Sequence, residues 1–244
     1  MNYLRALAAL LMFSLAQAGW AASGFGISPL RLDLSAARPM ASYVLTNSGD
    51  SPVVIQAQPR AWRQQQGRDV VEDTRAFLVN PAIVRLAPGE SQVVRVALRA
   101  APDRERETGY RMHFTEVPQP GEAKGPGATL NVRLVKRMDL PVFVAPIAGD
   151  ARPRGSLKAS VDGTTLRLLA SNEGTAHWRL GELVVSDAGS GRTLGNPLVV
   201  SVLPGGMRAV EIPLQGRATP EAVVVRADAE GEAFEARLQV DVVR

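Results

Sequence analysis

The sequence predicts an all-β protein built as two tandem immunoglobulin-like β-sandwich domains, and three observations predict it. Beyond the first two dozen residues no apolar repeat of 3.6 residues persists. Short β-branched runs take its place, bounded by Gly, Pro, Asn and Asp. Seven such runs precede a Pro- and Gly-containing segment at residues 145–155, and seven follow it, each set matching the strand count of one such sandwich. The turn Leu45-Thr46-Asn47-Ser48-Gly49 before that segment has a counterpart after it, Ala170-Ser171-Asn172-Glu173-Gly174. A single large β-barrel or jelly roll is the competing architecture.

In chain order, residues 1–5 carry one positive charge, residues 6–16 are uninterruptedly apolar, and Ala16-Gln17-Ala18 fits a small-x-small cleavage site. Cleavage after Ala21 or Ala22 fits as well, so residues 1–22 are read as an export signal. Its apolar run is too short to span a bilayer, which takes about 20 residues. No later stretch approaches that length without charges, so no integral membrane segment is expected after cleavage.

The first sandwich is expected over 23–146. Its strands are 25–34, with Pro29 marking an edge or bulge, then 42–46, 53–62, 83–86, 92–98, 110–117 and a long run at 129–144, bent near Pro141. The second is expected over 154–244, with strands at 156–161, 165–170, 177–186, 198–203, 208–214, 221–226 and 234–243.

Composition narrows the chemistry. Cysteine is absent, which removes disulfides, thiolate nucleophiles and Cys-ligated metals. The only histidines are His113 and His177, so a His-rich metal site is excluded. Both are read as partly exposed strand residues, and no nucleophile-elbow, zinc-protease or phosphate-loop motif accompanies them. No catalytic residue, cofactor or metal is therefore assigned. The net charge is +4, but the basic residues are spread along the chain rather than clustered, which argues against nucleic acid as a partner.

Several segments together resemble the periplasmic pilus (fimbrial) assembly chaperones, the PapD-like proteins. They are Ser28-Pro29-Leu30-Arg31, the strand ending in Thr46-Asn47, Pro81 through Leu86 with Pro88-Gly89, Gln92-Val93-Val94-Arg95-Val96, Tyr110-Arg111 through Glu116-Val117-Pro118, and Leu140-Pro141-Val142-Phe143. Their order and spacing agree with the family across the first domain. The Tyr-Arg pair and Leu-Pro-Val-Phe look like its archaic branch.

The resemblance implies a non-enzymatic periplasmic chaperone without cofactor. Its partners would be pilin subunits and an outer-membrane usher. It would lend a strand to a subunit that lacks one, with main-chain hydrogen bonds giving affinity and alternate side chains giving specificity. Leu130, Val132 and Leu134 would be the donated residues, and packing into the protein's own core is the other reading of that face. Arg31 would anchor the subunit's terminal carboxylate. Pro141 stands where the family places a lysine, so the resemblance passes the second cation to Arg111, and after it to Arg137. Arg95, Glu116 and Asp228 match positions of an ion-pair network between the domains. An exposed apolar strand would also give weak self-association. The alternative function is a secreted or surface tandem immunoglobulin-like binding module of adhesin type.

Overall fold

The computed structural model describes residues 24–118, 135–197 and 199–243. The expected signal at 1–22 and the expected donor residues Leu130, Val132 and Leu134 lie outside the described residues. All the regular elements described are strands.

Ten form the first sandwich: β1 (Phe25–Ser28), β2 (Leu32–Leu34), β3 (Met40–Asn47), β4 (Val53–Gln65), β5 (Arg68–Asp73), β6 (Phe77–Asn80), β7 (Ile83–Leu86), β8 (Ser91–Leu98), β9 (Thr108–Glu116) and β10 (Arg137–Val144). One sheet runs β1-β3-β8-β6; the other runs β2-β10-β9-β4-β5, with β7 beside β4. The expected strand at 25–34 is two short ones in different sheets. β1 pairs antiparallel with β3, and β2, beyond Pro29, pairs parallel with β10. Crossing from sheet to sheet lets this segment close one side of the sandwich.

Alternation in the sequence becomes alternation of faces. On β9, Met112 and Phe114 enter the core while Arg111, His113 and Thr115 take the outer face. On β4, Val53, Ile55 and Ala57 are core residues, and Gln56, Gln58, Arg60 and Trp62 face outward. Tyr43 packs edge-on against Phe114 at 5.0 Å in the centre.

β5, β6 and the extension of β4 to Gln65 were not expected from the sequence. Arg68–Asp73 is rich in charge and barely buried, so ladder pairing with β4, not an apolar face, makes it a strand.

The second sandwich contains β11 (Gly155–Asp162), β12 (Thr165–Asn172), β13 (Trp178–Asp187), β14 (Thr193–Gly195), β15 (Val199–Val202), β16 (Met207–Pro213), β17 (Ala222–Ala229) and β18 (Glu232–Val243). β18 pairs with β17 along most of its length and, in parallel, with β11 near its end, which joins the two layers. A separate core fills it, built on Leu166, Leu168, Leu180, Val185 and Val225.

The repeated Asn-x-Gly turn is a repeated structural device. Asn47 Nδ2 donates to the carbonyls of Ser51 (2.8 Å) and Leu86 (3.2 Å), and its Oδ1 accepts from Gly49 N at 2.9 Å. Asn172 Nδ2 donates to Ala176 O (2.7 Å) and Val202 O (3.0 Å), and its Oδ1 accepts from Gly174 N at 2.9 Å. Both side chains are buried. Each ties a strand end to a carbonyl of a distant strand, which an apolar residue could not do.

Candidate functional site

The outer face of the sheet β2-β10-β9-β4-β5 carries the residues singled out in the sequence. Register places them in rows. Pro141 pairs with Arg111, Arg111 with Arg60, and Arg60 with Asp73. Arg31 directly precedes Leu32, which pairs with Val142, so Arg31 lies beside Pro141. Arg31 and Arg111 therefore flank Pro141, two strand spacings apart, or about 10 Å between backbones. The short proline ring leaves the middle of the row low and both guanidiniums free to lean the same way.

They lean toward the next row. The Arg31 guanidinium sits 4.8 Å above the Phe143 ring and is paired with Asp33 at 2.7 Å. That of Arg111 lies 3.9 Å above the Trp62 ring. Phe143 and Trp62 are 6.0 Å apart, buried, and joined by Leu203 of the second sandwich in a small apolar cluster of their own. Two cations thus rest on a shared aromatic floor at the junction of the sandwiches. Burial disfavours the charged form of Arg111 and lowers its pKa, opposed by the nearby Asp69 and Asp139 carboxylates.

Among the described residues, the junction includes three groups of polar and packing contacts besides that cluster. The β4–β5 hairpin turns through Gln66 and Gly67, whose positive φ angles of 51° and 78° suit a tight hairpin turn. Its tip presses on the second sandwich: Ala209 N donates to Gly67 O at 2.9 Å, and a Cβ at Gly67 would meet Ala209 Cβ at 3.0 Å. Gln64 bridges, accepting from Leu203 N at 2.9 Å and donating to Ser201 O at 2.8 Å. Glu107 Oε1 lies 2.6 Å from His177 Nδ1 and accepts from His177 N at 3.1 Å, while the His177 ring stacks on Phe143 at 3.7 Å.

The junction corrects several expectations. His113 and His177 are not partly exposed; both are 4% exposed. His177 is covered because it is the second sandwich's contact with Phe143. His113 lies under Arg137, whose Nη2 is 2.9 Å from its Nδ1, and beside Asp139. Desolvation lowers the His113 pKa, with Asp139 opposing and Arg137, Arg60 and Arg111 reinforcing the shift.

Arg137 itself is half exposed, paired with Asp139 at 2.8 Å, and stands opposite Thr115, four residues along the ladder from Arg111. It does not share the Arg31–Arg111 row.

The expected network of Arg95, Glu116 and Asp228 is not assembled. Glu116 is at the end of β9 remote from Gly109, where the second sandwich touches, and its Oε2 accepts from Lys136 N at 3.4 Å. Asp228 stays within the second sandwich, 3.9 Å from Arg179 and accepting from Gly231 N. Arg95 is exposed in the other sheet, between Ser42 and Asn80, without an ion-pair partner among the described residues.

Glu107, Gln64, Asp69, Trp62 and Arg208 were missed in the sequence. One signal was available. Gly109 interrupts a strand, which marks close approach, and a Cβ there would sit 2.6 Å from Leu203 Cδ2.

Two sandwiches meeting at an arginine-lined junction define a tandem immunoglobulin-like protein. Residues 24–149, just over half of the chain, match the family model of the pili and flagellar-assembly chaperones, PapD N-terminal domain, and the chain belongs to that family. Among solved structures it is similar to the complex of the chaperone CsuC with the tip subunit CsuE, from archaic chaperone–usher pili of Acinetobacter baumannii. That match has TM-score 0.66 and 16% identity over 91% of this chain and 100% of that one. It is similar to the YadV chaperone, with TM-score 0.61 and 16% identity over 88% and 98%. It is also similar to the Salmonella enterica SafA pilin–SafB chaperone complex, with TM-score 0.60 and 17% identity over 88% and 96%. At these identities the likeness is one of fold. A comparison with curated proteins yields no match. The protein is thus a pilus-assembly chaperone by family, and the surface binding module is not favoured.

Proposed function

We propose that this chaperone works in the periplasm without catalysis, captures pilin subunits by strand donation and passes them to an outer-membrane usher. Residues 1–22 direct export, 23–146 form the capturing domain, and 154–244 form the second domain, whose junction with the first shapes the cleft. Leu130, Val132 and Leu134 enter the subunit's groove, where each fully buried side chain contributes about 1.5–3 kcal/mol. Arg31 and Arg111 hold the subunit's terminal carboxylate. The observation that carries this reading is their placement in register on either side of Pro141, both guanidiniums leaning onto the Phe143–Trp62 floor. Guanidinium forks suit a carboxylate, and the low proline gives an extended chain end room to reach them. Arg137, held by Asp139 further along the ladder, is the weaker candidate.

Co-expression with a pilin subunit tests the anchor. Arg31→Ala and Arg111→Ala should each lower recovery of the complex about tenfold, the effect of about 1.4 kcal/mol, with the variants themselves folded. Unchanged recovery in both would overturn the assignment.

A further inference from the structure

The anchor proposed above draws on the first sandwich alone, yet the cation that shares a carboxylate with Arg111 belongs to the second. Arg208 Nη1 lies 2.9 Å from Asp69 Oδ2, and Arg111 Nη2 lies 3.4 Å from the same oxygen. One carboxylate oxygen thus sits between two guanidiniums from different domains. We propose that Arg208 is a binding residue of the anchor, and that Asp69 occupies, in the free chaperone, the place that a partner's terminal carboxylate takes or shares on capture. This deepens the carboxylate-anchor reading and rests on it.

Four observations support it. First, Asp69 is held in place by the junction. Gln64 Nε2 donates to its other oxygen at 3.0 Å, and Gln64 is itself fixed to the second sandwich through Ser201 and Leu203. The docking of the two sandwiches therefore builds the geometry that brings Arg208 to Arg111. Second, the three side chains are each about a quarter to a third exposed, buried enough for strong pairing and open enough for a ligand to enter. Third, one acid does not neutralise the site. A hollow of about 600 Å³ beside Arg208 is lined also by Arg68 and Arg167, with Glu211 the only acid among the described residues of its wall. That hollow carries three arginines to one acid, an excess of positive charge that attracts a carboxylate to Arg208. Fourth, the indole N–H of Trp62, whose ring carries Arg111, is buried and has no acceptor among the described residues. A buried donor without an acceptor is costly and suits a site completed by an anion.

A pair of peptides separates this role from a structural one. A ten-residue peptide with two leading lysines followed by alternating threonine and valine is prepared with a free terminal carboxylate and as its amide. Binding of both to the mature chain is measured for wild type, Arg208→Ala, Arg208→Lys and Arg111→Ala. The wild type should prefer the acid, and Arg208→Ala should reduce that preference about tenfold, with Arg208→Lys between. A merely structural Arg208 would weaken acid and amide alike and leave the preference intact, which overturns the proposal. Loss of preference in Arg111→Ala alone would overturn the role of Arg208 and leave the anchor standing. A wild type that does not distinguish acid from amide would overturn the anchor itself, and this proposal with it.

Discussion

Replacing Glu107 by alanine should loosen the junction and lower stability by an amount the structure bounds. Glu107 Oε1 accepts from His177 twice, from the ring at 2.6 Å and from the backbone at 3.1 Å. His177 is 4% exposed and the Glu107 side chain 12%, so water cannot readily replace the lost acceptor. A buried donor left without a partner costs about 1–3 kcal/mol. The Phe143 stack and the Glu107 N to Thr175 O bond remain, so the loss should not exceed the middle of that range. A loss of about 2 kcal/mol in a chain of this size lowers the melting temperature by about 4–8 °C. The domains should also sample a wider range of angles, because Glu107 ties the start of β9 to the start of β13. Calorimetry measures the first effect and small-angle scattering the second. An unchanged melting temperature with an unchanged scattering profile would refute the claim that this pair fixes the junction.

Asn172→Ala removes two donors to buried carbonyls and an acceptor for Gly174 N, and should cost about 1–3 kcal/mol by denaturant unfolding. Asn47→Ala should cost a similar amount in the first sandwich, and a loss in one variant only would mean that the two turns are not equivalent. His113 should make the protein less stable in mild acid. Its folded pKa is lowered by desolvation, so the unfolded chain binds the proton first. The stabilisation is complete above the unfolded value of about 6.5 and is lost as pH falls through the folded one. Melting temperature measured from about pH 7.5 down to about pH 5, across the unfolded histidine value, should fall less steeply in His113→Gln than in wild type. Parallel profiles would show that another group governs the slope.

What could be read from the sequence and what could not have different physical origins. Strands with one apolar face were legible because alternation is local: Met112 and Phe114 against Arg111 and His113 declares both the strand and its faces. β5 was not legible, because its stability comes from ladder pairing with β4 rather than from an apolar face. The two sandwiches were legible through a repeated turn, since a buried Asn serving two carbonyls needs the same local pattern each time. Arg31 and Arg111 were suggested by family resemblance, and their shared row emerges only from the registers of β2, β10 and β9. The contacts at the junction were hidden for a different reason. Glu107 and His177, or Asp69 and Arg208, are far apart in sequence and meet only because two folded bodies dock. His113 looked like a partly exposed strand residue because alternation predicts the outer face correctly but cannot say that Arg137 lies over that face.

That this chain carries a subunit by lending it a strand is tested most directly by Leu134→Asp. A pilin subunit is co-expressed in the periplasm with the wild-type chaperone or the variant, and the bound subunit is recovered through the chaperone. Strand donation predicts a complex with the wild type and none with Leu134→Asp, since a charge in the subunit's apolar groove is heavily penalised, while the variant alone melts at the wild-type temperature. A variant that still holds the subunit, or one that unfolds by itself because Leu134 belongs to its own core, would contradict it.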